Sequence, residues 1–297
     1  MTEACHHGLV PNSVVTAIHQ RISELTPTER RIAEHVLADP QAVVEGSITR
    51  LADDCSVSVA SVARFTRSVG FAGFPDIRLA LATELTRTAS DRERFQVSAG
   101  DVSRYDDAAT TVRKIAFAEA AAIERTARQL DIDELERCVA ELRGARRIDI
   151  YGAASSGLAA QDLEQKLHRA GLVAQARTDH HLALTGAALL DARDVAIAIS
   201  HSGRTLEIVQ AAQVAASAGA TTIAITNNPR SPLARACELV LVTAVSESTF
   251  RSGAMASRIA QLALLDFLYT RIAQADYDTI SDNLQRTLDA VTTHRID

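Results

Sequence analysis

Two short segments gather hydroxyl groups and small residues in a pattern suited to holding an anion. They are Tyr151-Gly152-Ala153-Ala154-Ser155-Ser156-Gly157 and Ser200-His201-Ser202-Gly203-Arg204-Thr205, and each follows an apolar run and leads into a helical stretch. Ser and Thr hydroxyls, with free N–H groups at a helix N-terminus, cradle a phosphoryl group, and the helix dipole favours its negative charge. Ser155, Ser156, Ser200, His201, Ser202 and Thr205 are the candidate ligands, and Gly203 is expected to let the backbone approach the bound group. A single serine-rich turn is weak evidence, whereas two after different strands of one sheet reinforce each other. The first turn lacks the glycines of G-x-G-x-x-G, and neither turn has the Gly-Lys-Ser/Thr of a P-loop, so a dinucleotide or a P-loop nucleotide is not indicated. A third segment, Glu247-Ser248-Thr249-Phe250-Arg251-Ser252-Gly253, offers Glu247 to sugar hydroxyls. Its bland alternative is that Ser252 caps a helix and Glu247 is solvated.

A second constellation lies at Ile48 to Arg67, ITRLADDCSVSVASVARFTR. Two short helices crossing steeply need a small residue at the contact, supplied by Ala52, and a shared core, supplied by Leu51, Cys55, Val57, Val62 and Phe65. Ser58 suits the N-cap of the second helix. Ser56 occupies the turn position that favours φ > 0, at a cost of about 1 kcal/mol for a residue other than Gly. Ala60, Ser61, Ala63, Arg64 and Arg67 are expected on the exposed face of the second helix, and no acid occurs between Asp54 and Asp76. Small residues allow close approach to base edges, and Arg either holds phosphate or reads guanine. Ser58, Ala60, Ser61, Arg64 and Arg67 are thus the candidate DNA contacts, against the alternative of an amphipathic helix pair with no ligand.

The elements that must position these groups change texture along the chain. Val14 to about Arg87 reads as short helices with 3.6-residue periodicity. Residues 89–107 are polar and mixed, a linker or weakly packed connecting helix. Helical pattern resumes from Ala108 to Leu142, with Val112, Ile115, Ala116, Ile123, Leu130 and Leu135 on one face and a separate helix starting near Asp133. Beyond Arg146, the runs RIDIYG, LVAQA, DVAIAIS, TTIAIT and LVLVTA alternate with helical stretches, as in a doubly wound parallel sheet of five strands. Helices are expected over Ser252–Ile272 and Ile280–Val291. The expected organisation is an all-α helix-turn-helix domain over 12–88, the 89–107 linker, an α/β domain with a leading helix over 108–275, and a C-terminal helix over 276–297.

Composition narrows the functions. The chain has 297 residues, 47% hydrophobic and 23% charged, a length that favours two domains. With 4% aromatics and no Trp, base stacking on single strands is an unlikely mode of action. The net charge of -6 means that any DNA-binding charge is local. Cys5, Cys55, Cys138 and Cys237 are scattered without C-x-x-C spacing, which points to reduced thiols in the cytoplasm. No signal-peptide pattern opens the chain and no apolar run of about 18 residues occurs, so a membrane span is not expected. Cys5, His6 and His7 carry ligand-type groups with nothing downstream to complete a metal site, and neither metal nor cofactor is expected.

With these residues assembled, the chain resembles the RpiR-type family of bacterial transcriptional regulators from about Val14 to Ala273. Arg64-Phe65 and Gly70-Phe71-Ala72-Gly73-Phe74 resemble that family's helix-turn-helix domain. The strings YGAASS, ISHSGRT, AITN and FRSGAMASR resemble its sugar isomerase (SIS) domain. The resemblance implies homodimers or homotetramers on inverted-repeat operators in double-stranded DNA, with a phosphorylated sugar or sugar acid as effector. By matching position, Ser155, Ser156, Ser200, Ser202 and Thr205 would hold its phosphate. The rival readings are an SIS-type isomerase or lyase, with His201, Glu247, His180 or His181 as its base, and an oligomeric scaffold whose loops bind nothing.

Overall fold

The computed structural model describes residues 13–22, 24–97, 102–245 and 255–292. The chain divides into two compact units, with the boundary between Ala121 and Ala122.

The first unit is built from α1 (Val14–Arg21), α2 (Pro27–Ala38), α3 (Pro40–Glu45), α4 (Ile48–Asp54), α5 (Val59–Ser68), α6 (Phe74–Phe95) and the start of α7 (Ala108–Gln129). α1 to α5 are short because strong start signals follow one another closely. Ser13, Thr26, Asp39, Ser47 and Ser58 each accept a backbone N–H of the turn they precede, Thr26 and Glu29 form a capping box, and Pro27 and Pro40 open α2 and α3. The apolar faces of α1 to α6 share one core that includes Ile18, Ile32, Leu51, Val62, Phe65 and Ile77. Ala52 is buried in that core, as are Leu51, Cys55, Val62 and Phe65, while Val57 packs half-buried at its edge. Ser56 takes φ +52° in the turn between α4 and α5.

The end of α5 is fixed as firmly as its start. Gly70 takes φ +97°, its N–H donates to the Arg67 carbonyl, and Phe71 N–H donates to the Thr66 carbonyl. This is the Schellman arrangement, and Phe71 is buried just beyond it.

The segment expected to be a linker is partly helical. α6 continues through Phe95, so residues 89–95 belong to it, and Gln96 ends it in the left-handed region. The apolar face expected on α7 is a second difference. Val112 is 65% exposed and Ile123 and Ala116 are also exposed, whereas Lys114, Ala122 and Thr126 are buried. Ala122 packs in a cluster with Val245, Ala256 and Ala260, where small side chains permit a close approach that large ones would prevent. The helix expected near Asp133 begins at Ile132 as α8 (Ile132–Gly144), with Asp131 as its cap.

The second unit continues with β1 (Ile148–Gly152), α9 (Ala154–Arg169), β2 (Ala174–Arg177), α10 (His180–Ala187), β3 (Val195–Ile199) and α11 (Leu206–Ser217). It is completed by β4 (Thr221–Thr226), α12 (Pro232–Ala236), β5 (Leu239–Val242), α13 (Met255–Ala275) and α14 (Tyr277–Thr292). The strands form one parallel sheet in the order β2-β1-β3-β4-β5. Ile148, Ile150, Val195, Ile197, Ile199, Ile223 and Ile225 share a core with α8, α9 and α13. The opposite face carries Tyr151, Ala196, Ala198 and Ala224, a shallow floor against which α10, α11 and α12 pack. Asp149 is buried on the same strand, paired to Arg177 at 2.6 Å and Arg147 at 3.2 Å, which ties β1 to β2 without leaving a lone buried charge. Among the described residues no helix is long and apolar enough to cross a membrane.

The Schellman turn gives a direct check on how α5 is held. Gly70→Ala places a Cβ on a left-handed residue and is expected to cost about 1 kcal/mol. Hydrogen exchange of the last-turn amides of α5 should then accelerate about fivefold. Unchanged exchange would show that the turn does not hold the helix.

Candidate functional site

The strand order puts a topological switch between β1 and β3. β1 continues into α9 and the β2 edge, β3 continues into α11 and the β4 edge, and the two helices lie on opposite faces of the sheet. Ligands of open α/β sheets bind outside the carboxyl ends of strands at such a point. The register pairs Gly152 with Ile199, so the two hydroxyl-bearing turns emerge from adjacent strand ends.

In the first turn, Ala154 takes φ +49° and α9 begins without a side-chain cap from Ala153. Ser155 Oγ is shielded from solvent and, among the described residues, has no hydrogen-bond partner. Ser156 Oγ accepts a hydrogen bond from Gln261 Nε2 at 3.1 Å, which anchors the turn to α13. Gly152 and Gly157 face each other so closely that a Cβ on Gly152 would lie 2.5 Å from the Ser156 carbonyl oxygen.

The second turn is braced from within. Ser200 is buried, its Oγ lies 3.0 Å from Thr205 Oγ1, and it accepts the Gly203 N–H at 3.2 Å. Ser202 is exposed and accepts the Arg204 N–H at 3.2 Å. His201 and Thr205 are half-buried, and α11 begins at Leu206 without a side-chain cap from Thr205. Ser200 therefore shapes the turn, while Ser202 lies at its surface.

Gly203 departs from its expected role. It has φ +62°, and a Cβ there would meet Ser231 Oγ at 2.1 Å and Thr226 Oγ1 at 2.8 Å. The glycine is required by packing against the cap of α12 and the end of β4, on the protein side of the turn.

The remaining candidates divide clearly. His180 and His181 open α10 behind the Asp179 cap, with ring centroids 6.4 Å apart. Among the described residues His180 Nδ1 is shielded without a hydrogen-bond partner, and Thr178 Cγ2 lies 3.1 Å from where a Cβ on Gly157 would be, so the β2–α10 loop borders the first turn. Glu247, with Ser248 to Gly253, lies outside the described residues, as do Cys5, His6 and His7. Burial pushes the Cys138 and Cys237 thiols up to about 12 and also raises Cys55, so these three remain protonated at neutral pH and are poor nucleophiles. Among the described residues no group of His, Cys, Asp and Glu is arranged to hold a metal ion.

On α5, Ala60, Arg64 and Arg67 are exposed and Ser58 lies exposed at the cap. Ser61 is 7% exposed and does not belong to that outward face. Its N–H donates to Ser58 Oγ, its hydroxyl is 2.9 Å from Ser58 Oγ, and it accepts Arg64 Nη2 at 3.0 Å. It thus orients an arginine from inside the turn. Ala63 is half-buried. Ser68, at the far end of α5, donates to Glu29 Oε1 at 2.5 Å. Burial acts to raise the Glu29 carboxyl, but hydrogen bonds from Ser68 and Thr26 outweigh it and hold the group below the usual carboxylate range. α2 and α5 are therefore joined through an ionised acid.

Sequence reasoning assigned no supporting role to Gln261, Thr226, Asn227 or Ser231, which brace the second unit's turns, although Thr226 and Asn227 stand in the AITN string. Gln261 carried a usable signal, since a Gln flanked by Ala260, Leu264 and Leu265 on the core face of a helix must find a buried partner.

This architecture has known counterparts. Residues 12–88 match the helix-turn-helix domain of the rpiR family, and residues 141–271 match the SIS domain. An HTH-type transcriptional regulator of Caldanaerobacter subterraneus subsp. tengcongensis is 38% identical over 283 residues, which is 95% of this chain and 98% of that protein. The Vibrio vulnificus NanR protein, solved in complex with ManNAc-6P, is 26% identical with a TM-score of 0.60, covering 96% of this chain and all of that one (100%). The sugar isomerase domain of the RpiR transcription factor from Sphaerobacter thermophilus shares the fold, with a TM-score of 0.54 at 24% identity over 58% of this chain and 95% of that one. The chain belongs to the RpiR family of HTH-type transcriptional regulators, which join a helix-turn-helix domain to an SIS domain.

Proposed function

We propose that this regulator binds an inverted-repeat operator through α5 and that a phosphorylated sugar or sugar acid, held at the β1 and β3 strand ends, sets its operator affinity. The observation that carries the reading is the pair of adjacent hydroxyl turns, each leading into a helix without a side-chain cap, with Ser155 Oγ in the first turn of α9 shielded and, among the described residues, unpartnered. An uncapped helix start and an unpaired hydroxyl are costly unless a ligand or water engages them. A phosphoryl group satisfies both, and the dipoles of α9 and α11 favour its charge. The similarity to NanR, which is complexed with the phosphorylated sugar ManNAc-6P, supports this ligand class.

In this scheme Ser155, Ser202 and Thr205 contact the phosphate, Ser156 and Ser200 position the turns, and His201 lies beside it. Glu247 remains a candidate for the sugar hydroxyls. On the DNA side Ala60 permits close approach, Arg64 and Arg67 engage base edges or phosphates, and Ser58 and Ser61 hold the start of the helix. Two or four copies present paired heads to half-sites about 34 Å apart or at multiples of that, in the cytoplasm where the DNA is. Effector and operator then influence each other reciprocally. The scheme assigns no catalytic turnover to the SIS domain.

Two experiments test these roles. In the first, a panel of aldose, ketose and hexosamine phosphates is screened by thermal shift. At least one should raise the melting temperature without being converted, because a ligand of the folded state stabilises it. Ser202→Ala should weaken that ligand about tenfold or more, the order expected for one hydrogen bond to a charged group, and leave operator affinity intact. Conversion of the ligand would establish an enzyme instead, and loss of DNA binding by the ligand-free variant would refute the division of labour.

In the second, duplexes selected from a random library by the full-length protein should converge on an inverted repeat. Arg64→Ala should weaken binding to it by roughly tenfold or more while leaving the sugar-phosphate thermal shift unchanged. A library that never converges would refute sequence-specific binding.

A further inference from the structure

A continuous set of hydrogen bonds leaves the second hydroxyl turn and ends on α7. The carbonyl of His201 accepts two of them, from Asn227 N–H at 2.9 Å and from Thr226 Oγ1 at 3.2 Å. Asn227 is 8% exposed, and its side chain grips the backbone of Val245 from both sides. Nδ2 donates to the Val245 carbonyl at 3.0 Å, and Oδ1 accepts the Val245 N–H at 2.8 Å. One residue earlier, Ala244 N–H donates to Thr126 Oγ1 on α7 at 3.1 Å, and Thr126 is wholly buried. Val245 itself packs against Ala122, one helical turn before Thr126.

The clamp is unusual in its construction. The β4–β5 ladder pairs Thr226 with Val242 and then stops, so an ordinary sheet would release the chain after β5. Thr243 N–H still reaches the Thr226 carbonyl at 3.0 Å, and beyond it the Asn227 side chain replaces the backbone as pairing partner. The amide group mimics a strand residue, with one donor and one acceptor facing one residue's N–H and C=O. The segment 243–245 is thus held to the turn on one side and to α7 on the other, by buried bonds whose loss is costly. α7 is also the helix in which the boundary between the two compact units falls.

We infer that Asn227 and Thr126 form a relay that converts occupation of the 200–205 turn into a change in α7. The inference rests on the phosphate-holding function proposed above for that turn. Drawing the turn toward a phosphoryl group moves the His201 carbonyl, which carries Asn227 with it. Asn227 moves Val245 and Ala244, and Thr126 transfers the displacement to α7. Packed and hydrogen-bonded networks carry such coupling, and the Asn227–Val245 and Ala244–Thr126 joints are buried, paired bonds. Asn227 and Thr126 touch no ligand in this scheme and act by position alone.

Hydrogen exchange on the full-length protein tests the relay with a local and a distant readout in one measurement. The probes are inorganic phosphate and the same panel of sugar phosphates, each raised until protection of residues 200–205 saturates. In the wild type, exchange of 200–205 and of the α7 amides 122–129 should both slow on ligand addition, the latter about fivefold or more. Thr126→Val preserves shape but removes the acceptor of the Ala244 N–H. It should keep protection at 200–205 and lose the ligand-dependent change at 122–129, and Thr126→Ser should restore it. Asn227→Ala should uncouple the two readouts in the same way. Protection at 200–205 with no change at 122–129 in the wild type overturns the relay alone, as does a distant response that persists in both variants. Absence of protection at 200–205 with every probe overturns the phosphate site, and the relay with it.

Discussion

Parallel strand pairing is the constraint on which the second unit depends. In such a sheet every strand releases its chain at the same edge, and every crossover helix begins there. With β1 and β3 paired in register, two helix starts and two hydroxyl turns meet side by side, although 48 residues separate Gly152 from Ser200 in sequence. The faces of the sheet are unequal for a related reason. Isoleucine and valine fill the side under α8, α9 and α13, and alanine lines the side under α11. The shallow alanine floor lets α11 pack against the strands, with the 200–205 turn joining the end of β3 to its N-terminus. The residues that make the core asymmetric therefore also fix the turn.

Much of this was legible in the chain because the signals were strong and local. Four strands coincide with short Ile- and Val-rich runs, whereas β2 (Ala174–Arg177, AQAR) begins two residues into the run LVAQA, contains neither residue type and is only partly buried. The cap at Ser58 and the left-handed Ser56 follow from the chemistry of a two-helix turn. What escaped the sequence depended on side-chain partners that helical periodicity and residue size do not reveal, most of them far along the chain. Ser61 reads as outward by helical periodicity, yet it is drawn inward because a serine three residues after a serine cap can bond to it. Val112 and Ile123 read as core by size, yet α7 buries Ala122 and Thr126, since its neighbours are alanines. Gly203 reads as an opening toward a ligand, and only the position of Ser231, 28 residues later, shows that its missing side chain makes room for protein. Gln261 is a single polar residue in an apolar stretch, a pattern that indicates burial with a partner but does not name the partner, whereas Asn227 stands in the polar run Thr226-Asn227-Asn228 and carries no such signal.

The two units solve the same problem with different chemistry. Each must hold a turn rigid where side chains face outward, and each does so with hydroxyl groups placed behind the turn. In the first, the Ser58 and Ser61 hydroxyls lie 2.9 Å apart and the second steadies Arg64. In the second, Ser200 and Thr205 lie 3.0 Å apart and brace the residues between them. Rigid turns limit the entropy that binding must remove, and preorganisation of this kind favours specific over loose contact. On the proposed function the inner hydroxyls are as much a part of each site as the outer ones, because replacing them would free the groups assigned to the ligand.

Charge places a further demand on the proposed regulation. A protein of net charge -6 gains little from long-range attraction to DNA, and α5 offers only Arg64 and Arg67 on its exposed face in a stretch free of acids. Non-specific affinity rises steeply with the number of phosphate contacts, so a head with few cations depends on fitted contacts to its own sequence. Such binding is easily upset by geometry, since each half-site is engaged only when the paired heads are correctly spaced. A coupling of about 1–3 kcal/mol, the usual size for allostery, is then enough to shift occupancy substantially. A strongly basic head would need far more, because its sequence-independent attraction would survive the loss of spacing.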